Sequence, residues 1–185
     1  MQSFILIGYR GTGKTTVAKK LAARLGLPVF DSDPEIERQA GKSIAEIFAQ
    51  DGESAFRDLE EAVIAEILAR SLPMVLATGG GAILRTETRR RFSQLGIRQS
   101  GCVIWLTATP ETILHRITND VTSQTMRPSL TSLPMREEIV TVLEQRKLLY
   151  AEAAHEMIDT DSRTADEIVE IILAFQGTAS RLKRH

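Results

Sequence analysis

Residues 8–15 read Gly-Tyr-Arg-Gly-Thr-Gly-Lys-Thr and directly follow the apolar run Phe-Ile-Leu-Ile at residues 4–7. This order of a short strand, a glycine-rich loop and a lysine is typical of a P-loop. Glycines let successive backbone N–H groups converge on phosphate oxygens, and the helix that follows directs its positive N-terminal end at the same anion. The stretch therefore predicts a strand, loop and helix that bind a nucleoside triphosphate.

Side chains in and after the loop complete the predicted nucleotide site. Lys14 supplies a mobile positive charge for the β- and γ-phosphates, and the Thr15 hydroxyl is placed to hold Mg²⁺. Asp31, at the end of the second predicted strand, would complete the metal shell through water, because Mg²⁺ gives up its hydration reluctantly. The predicted ATP-binding residues of the loop are Gly11, Thr12, Gly13, Lys14, Thr15 and Thr16.

Length and composition predict one domain and exclude some partners. The chain has 185 residues, enough to bury about 70% of its unfolded surface. Its formal net charge of −1 gives no general attraction to nucleic acid or anionic lipid, and no apolar run is long enough to span a membrane. The single cysteine, Cys102, lies in an apolar run and predicts a buried, inert thiol. We expect a cytoplasmic monomer with neither nucleic-acid nor membrane partners.

Short apolar runs alternate with longer helical patterns along the chain. Because these runs are continuously apolar, we expect them to be buried on both faces of a parallel sheet between two helical layers. Ligands bind at the carboxyl ends of such strands, where the loop glycines, Asp31 with Asp33, and residues 79–81 all fall. The predicted strands cover residues 3–7, 29–30, 74–77, 102–106 and 156–158.

The segment at about residues 119–133 departs from this alternation. It is rich in Ser, Thr, Pro and Asp and contains the isolated Arg127. An ordinary loop is one interpretation; we favour a mobile lid, since phosphoryl transfer requires that water be excluded. We predict that residues 1–175 form a single P-loop kinase domain and that residues 176–185 form a disordered C-terminal tail.

Taken together, these motifs resemble the shikimate kinases, small P-loop enzymes related in fold to the nucleoside monophosphate kinases. The resemblance implies a three-layer α/β P-loop kinase fold whose central five-stranded parallel sheet has the order 2-3-1-4-5. It spans residues 4–173 and is carried by residues 8–16, 31–33, 56–60 and 79–81, by Arg127-Pro128, by Arg146 with Tyr150, and by residues 159–161.

The activity implied by the resemblance is ATP-dependent phosphoryl transfer to an alcohol. The γ-phosphate of ATP would pass to the 3-hydroxyl of shikimate, giving 3-phosphoshikimate and ADP, with Mg²⁺ as cofactor. This reaction belongs to chorismate and aromatic amino-acid biosynthesis. The substrates implied for this chain are ATP and shikimate.

The resemblance also implies roles for single residues. Arg57 and Arg146 resemble a carboxylate clamp, because two guanidinium groups can grip one carboxylate with bidentate geometry, and Glu60 would hold Arg57. Asp33 resembles the residue that receives the acceptor hydroxyls and orients or deprotonates the attacking one. The implied substrate-binding residues are Asp33, Arg57, Gly79, Gly80, Gly81 and Arg146.

Two further arginines are assigned to the nucleotide. Arg127 matches the lid arginine that closes over the phosphates, much as an arginine finger does, and Arg116 would lie near the adenine. Both count as ATP-binding, and the catalytic set is Lys14, Asp33 and Arg127. The remaining basic cluster, residues 89–91, predicts an exposed helix face.

Two alternatives share the P-loop. Another small-molecule kinase, for gluconate or a nucleoside monophosphate, has no obvious use for Arg57, Arg146 and residues 79–81 in combination. A non-catalytic nucleotide-binding module is harder to exclude, because binding and chemistry use the same loop. The joint presence of Lys14, Asp33 and Arg127 argues against it.

Overall fold

A parallel five-stranded sheet forms the centre of the computed structural model, which describes residues 2–70, 72–97, 100–119 and 133–182. Its strands are β1 (Ser3–Ile7), β2 (Val29–Asp31), β3 (Val75–Ala77), β4 (Gly101–Thr107) and β5 (Glu156–Asp159). The helices in the described residues are α1 (Lys14–Leu25), α2 (Ser32–Ala40), α3 (Ile44–Gln50), α4 (Gly52–Ala69), α5 (Thr86–Ile97), α6 (Pro110–Asn119), α7 (Met135–Ala153) and α8 (Ala165–Leu182), with a 3₁₀ turn at Ala82–Leu84.

The strand order is β2-β3-β1-β4-β5, as the resemblance implied. All neighbouring strands are parallel, and Ile5 of β1 lies opposite Leu76 of β3 and Val103 of β4. Every residue of β1 is buried, which is what a strand at the centre of a parallel sheet requires. The predicted α/β fold with this sheet order is confirmed.

Two hydrophobic cores lie on opposite faces of the sheet. Because successive side chains of a strand point to opposite faces, Ile5 and Ile7 enter one core while Phe4 and Leu6 enter the other. The first core is covered by α2, α3, α4, α5 and α7, and the second by α1 and α8. A third, smaller cluster packs Tyr9 of the P-loop against α6 and α7. The predicted helical layers on both faces are thus present.

Two predicted segments, the C-terminal tail and the lid, can be compared with the described residues. Helix α8 continues to Leu182, so it reaches into the segment that we assigned to a disordered tail. Of the segment assigned to a lid, residues 120–132, including Arg127, lie outside the described residues. The division into one domain and a tail stays a prediction. Among the described helices, none combines the length and apolarity that crossing a bilayer would need.

Candidate active site

The P-loop leaves the sheet at Gly8, the residue that follows β1. Gly8 has a φ of +141°, and a Cβ there would lie 2.3 Å from the Leu106 carbonyl oxygen of β4. Both the backbone conformation and the close approach of β4 therefore require glycine. The loop then turns into α1, whose first residue is Lys14, so the amino end of the helix faces the predicted phosphate site.

The Tyr9 carbonyl oxygen organises the interior of the loop. It accepts hydrogen bonds from the Thr12 hydroxyl at 2.8 Å and from Lys14 Nζ at 2.7 Å. Lys14 is buried, so this carbonyl compensates part of the cost of desolvating its ammonium group. The side chain therefore lies folded back on the loop, at the wall of the cavity described next.

A cavity of about 610 Å³ opens beside the loop at the carboxyl ends of the strands. Arg10 and Thr78, for which the sequence suggested no role, also lie in its wall. The predicted site residues that line it are Gly11, Gly13, Lys14, Thr15, Thr16, Asp31, Asp33, Gly79, Gly80 and Arg116. The fold therefore brings residues from four separate parts of the sequence to one cavity.

Thr15 and Asp31, the residues predicted to hold a metal, lie next to each other. The Thr15 hydroxyl donates to Asp31 Oδ2 at 2.7 Å, and Asp31 Oδ1 caps α2 by accepting from the Asp33 backbone N–H. Burial and the neighbouring Asp33 carboxylate raise the pKa of Asp31, against the opposing effect of the Thr15 hydrogen bond. Both side chains offer the hard oxygen atoms that Mg²⁺ prefers.

The described residues contain no group of three or more metal-binding side chains. One hydroxyl and one carboxylate fit a cation that takes its other ligands from phosphate oxygens and water, which is how Mg²⁺ usually binds at nucleotide sites. The donor set thus agrees with the predicted metal.

Arg57 of α4 reaches the glycine turn from one side. Its side chain is 7% exposed and is held by Glu60 Oε2 at 2.7 Å and by Glu53 Oε1 at 3.0 Å. A Cβ on Gly81 would lie 2.2 Å from Arg57 Nη1, so only glycine leaves room for the guanidinium. The expected contact between Glu60 and Arg57 is confirmed.

Arg146 of α7 reaches the same turn from the other side. Its Nη1 donates to the Gly80 carbonyl oxygen at 3.1 Å, and the Tyr150 hydroxyl donates to the same oxygen at 2.5 Å. Burial raises the pKa of Tyr150 to about 12, so its hydroxyl remains a hydrogen-bond donor throughout the neutral range. Two arginines 89 residues apart in sequence (146 − 57) therefore meet at residues 79–81.

Other contacts that the sequence analysis missed hold the glycine turn in place. The Gly79 backbone N–H donates to the Ser32 hydroxyl at 2.9 Å, which ties the turn to the start of α2. Arg89 donates to the Ile83 and Leu84 carbonyl oxygens just beyond it. Our prediction that residues 89–91 form an exposed face is wrong for Arg89, which is buried. Nothing in the sequence of residues 89–91 indicates that the first of the three arginines is the buried one.

Arg116 joins the P-loop to the end of β5. Its Nη1 donates to the Gly11 carbonyl oxygen at 3.3 Å, and its Nη2 donates to the Thr160 carbonyl oxygen at 2.6 Å. This places the guanidinium at the edge of the loop, away from Arg57 and Arg146. Cys102 lies in β4 and is half-buried, although the sequence predicted a buried thiol. Burial raises the pKa of this thiol to about 11, which disfavours the reactive thiolate.

Fold and site together define a P-loop kinase of small molecules. The family model described as shikimate kinase matches residues 10–176. A shikimate kinase of Rhodopirellula baltica is 45% identical over 93% of this chain and 89% of its own length. One of Pelotomaculum thermopropionicum is 41% identical over 95% of both chains. The chain belongs to the shikimate kinase family, a family of ATP-using kinases that generally need a divalent metal.

Solved structures agree with this assignment. A shikimate kinase from Acinetobacter baumannii in complex with shikimate has a TM-score of 0.86 and 35% identity, and the match covers 97% of this chain and 94% of that one. A gluconokinase from Sinorhizobium meliloti has a TM-score of 0.62 at 17% identity, which reflects the shared fold alone. The predicted family and the predicted enzyme class, an ATP-dependent kinase, are confirmed.

Proposed function

We propose that the chain transfers the γ-phosphate of ATP to the 3-hydroxyl of shikimate, producing 3-phosphoshikimate and ADP. The observation that carries the proposal is the meeting of Arg57 and Arg146 at the glycine turn beside the P-loop. Two guanidinium groups on separate helices suit one carboxylate, and the glycines leave space for a ring to lie against the backbone. A carboxylated cyclic polyol satisfies both features.

The acceptor would lie between this clamp and Asp33. Asp33, Gly79 and Gly80 line the cavity beside the P-loop, whereas Arg57 and Arg146 reach residues 80–81 from outside its lining. In this arrangement Asp33 accepts a hydrogen bond from the attacking hydroxyl and takes its proton as the new phosphate ester forms. Lys14 neutralises charge on the transferred group, since phosphoryl transfer asks the protein mainly for alignment and charge stabilisation. Arg127 would add a second positive charge from the lid.

We infer that Thr15 and Asp31 hold Mg²⁺ with the nucleotide. Thr15 and Asp31 would hold the cation, which would supply positive charge next to the phosphates. Arg116, fixed between Gly11 and Thr160, would bound the space for the adenine. We further infer a cytoplasmic monomer without nucleic-acid or membrane partners.

The proposal is tested by an acceptor panel. Purified protein is incubated with Mg·ATP and, in separate reactions, shikimate, quinate, gluconate or AMP, and ADP formation is followed. We expect strong ADP formation with shikimate alone, and NMR of the product would show phosphate on the 3-hydroxyl. Gluconate-dependent turnover would favour a gluconate kinase, and no turnover with any acceptor would favour a nucleotide-binding module.

The variant Asp33→Asn tests the proposed role of Asp33 in the chemical step. It keeps the shape of the side chain but removes the proton acceptor, so kcat should fall by about 100-fold or more while the KM for ATP changes little. A near-normal kcat in this variant would contradict the role that we assign to Asp33.

A further inference from the structure

A buried ion pair connects the P-loop to helix α7. Arg10 Nη2 lies 2.6 Å from Glu138 Oε1, and the two side chains are 15% and 1% exposed. The Tyr9 hydroxyl lies 3.5 Å from the same carboxylate oxygen. None of the roles assigned above uses Arg10 or Glu138, although Arg10 lines the candidate active site.

Burying such a pair is costly for stability. The attraction between two charges often does not offset the cost of removing both from water. A protein with apolar residues of similar size at these positions can therefore be as stable or more stable. Stability alone therefore does not explain an ion pair at this position. Arg10 belongs to the same loop as Lys14 and lines the same cavity, which suggests that the pair positions the loop.

Helix α7 carries the acceptor clamp on the same face as Glu138. Glu138, Val142, Arg146 and Tyr150 are all buried and follow one another at four-residue intervals, which places them in one stripe along the helix. Arg146 and Tyr150, about two and three turns beyond Glu138, hold the Gly80 carbonyl oxygen. One face of α7 thus contacts both the P-loop and the glycine turn.

The glycine turn also lies against the P-loop. A Cβ on Gly80 would lie 3.4 Å from both the Arg10 backbone nitrogen and the Gly8 carbonyl oxygen. On the loop side, the Tyr9 carbonyl oxygen, one peptide before Arg10, holds Lys14. The contacts therefore form a closed path from Lys14 through Arg10 and Glu138 to Arg146, and back through Gly80.

We propose that Arg10 and Glu138 are positioning residues that tie the P-loop to α7 and so fix Lys14 relative to Arg146. The inference rests on the function proposed above, in which these two groups hold the nucleotide and the acceptor. In-line transfer depends on their relative position, and a misplacement of about 1 Å can cost about 100-fold in rate. The tie maintains that alignment through the contact between the P-loop and α7.

An exposed ion pair on the same helix provides a matched control. Arg136 Nη2 lies 2.6 Å from Glu111 Oε1, and the side chains are 60% and 62% exposed. This pair joins α6 to α7 at a position two residues, about half a turn, before Glu138, and its partner lies on α6 rather than on the P-loop. Removing it tests whether loss of any ion pair at this end of α7 has the same effect.

The decisive variant is the double replacement R10M/E138M, compared with R136M/E111M. Removing both charges avoids leaving either one buried without its partner. We expect turnover per folded molecule to fall by about tenfold or more in R10M/E138M, with the KM for each substrate within about threefold of wild type. The control should stay within about twofold on all three quantities.

Folding is monitored by circular dichroism, and all rates are measured well below the melting temperature. Should R10M/E138M fail to fold, R10K and E138Q are compared instead. R10K keeps a charge for Glu138 and should retain more turnover than E138Q, which leaves Arg10 without its carboxylate. Wild-type turnover in folded R10M/E138M, or equal turnover in R10K and E138Q, would overturn the proposal.

Amide hydrogen exchange gives a readout that needs no acceptor. Peptides that cover residues 9–14 should exchange faster in R10M/E138M than in wild type and in R136M/E111M, because the loop has lost its attachment. Unchanged exchange in these peptides would also count against the tie. If wild-type protein is inactive with shikimate but the exchange result holds, the proposed function fails and the tie survives.

Discussion

Gly81 shows how one hydrogen atom in place of a side chain shapes the acceptor site. Its φ of −102° is open to any residue, so backbone conformation does not explain the glycine. The reason is the Arg57 guanidinium, which occupies the space where a Cβ would lie. Arg57 is in turn held in that space by Glu60 and Glu53. In the proposed acceptor site, a cation fixed by carboxylates would therefore lie against bare backbone.

We predict that Gly81→Ala displaces Arg57 and weakens acceptor binding. The KM for shikimate should rise by about 10-fold or more, since a charge-assisted hydrogen bond is worth about 1.5–3 kcal/mol, while the KM for ATP changes little. Steady-state kinetics with each substrate varied in turn provide the test. Gly26→Ala, where an added Cβ meets nothing within 4 Å, should leave both KM values unchanged. Equal effects of Gly81→Ala on the two substrates would contradict the clamp.

The raised pKa of Asp31 leads to a second prediction, on metal dependence. Because burial and Asp33 favour its protonated form, Asp31 loses its charge on acidification at a higher pH than an ordinary aspartate. The Mg²⁺ concentration for half-maximal activity should therefore increase as the pH falls from neutral into the acidic range in which the protein stays folded. Titration of activity with Mg²⁺ across that range measures it. Asp31→Asn should need high Mg²⁺ at every pH; if it shows the wild-type pH dependence, Asp31 is not the titrating group.

At the scale of elements, β1 and α7 determine where the site lies. β1 lies at the centre of the sheet, and the P-loop begins at Gly8, directly after it. α7 reaches back over that loop and presents one buried stripe to it and to the glycine turn. The strand fixes where the P-loop begins, and the helix contacts both the loop and the glycine turn. A change where β1 meets the loop, or where α7 contacts it, should therefore affect stability and activity together.

The close approach of β1 and β4 gives a third prediction. Gly8→Ala should lower the free energy of unfolding by about 3 kcal/mol or more, because the added Cβ would overlap the Leu106 carbonyl oxygen and the φ is strained for alanine. Urea unfolding measures the change. Gly26→Ala also places alanine at a positive φ, but in open space, and should cost only about 1 kcal/mol. Similar losses in the two variants would show that β4 does not limit this position.

At the scale of the whole molecule, two buried tyrosines connect the site to the cores. Tyr9 belongs to the small cluster with α6 and α7, and Tyr150 belongs to the core on the α4 and α5 side of the sheet. Burial raises the pKa of both hydroxyls, that of Tyr150 to about 12. Because deprotonation disfavours the fold at each position, the stability of the whole molecule depends on pH in the alkaline range.

The sign of that dependence gives a fourth prediction. A pKa raised on folding contributes stability that is fully present below the unfolded value of 10.0 and is lost as the pH rises towards about 12. The free energy of unfolding from urea titrations should therefore fall steadily across this interval. In Tyr150→Phe the fall should be smaller, although stability at neutral pH decreases because the hydrogen bond to Gly80 is lost. An identical alkaline slope in the variant would exclude Tyr150 as its source.

The P-loop, the strand pattern and the burial of β1 and β3 were predictable because each depends on neighbours in sequence. The expectation that all strands are buried on both faces is wrong for the edge strands β2 and β5, which have only one neighbouring strand and are largely exposed or half-buried. Glycine spacing, continuous apolar runs and the lysine that opens α1 are local signals. The sheet order and the acceptor clamp were predicted through resemblance to a family. Physical analysis of the arginines alone favoured exposed positions, since isolated arginines are usually solvated.

The amino-acid sequence by itself determined the α/β fold class and the phosphate-binding loop, because backbone conformation and strand burial follow from local residue types. Only the tertiary structure decided which charged groups meet. Arg10 with Glu138, Arg89 with the turn carbonyls, and Ser32 with Gly79 are all contacts that packing creates. Which partner a charged side chain meets depends on how the helices are oriented over the sheet. The residues next to that side chain in sequence do not determine this orientation.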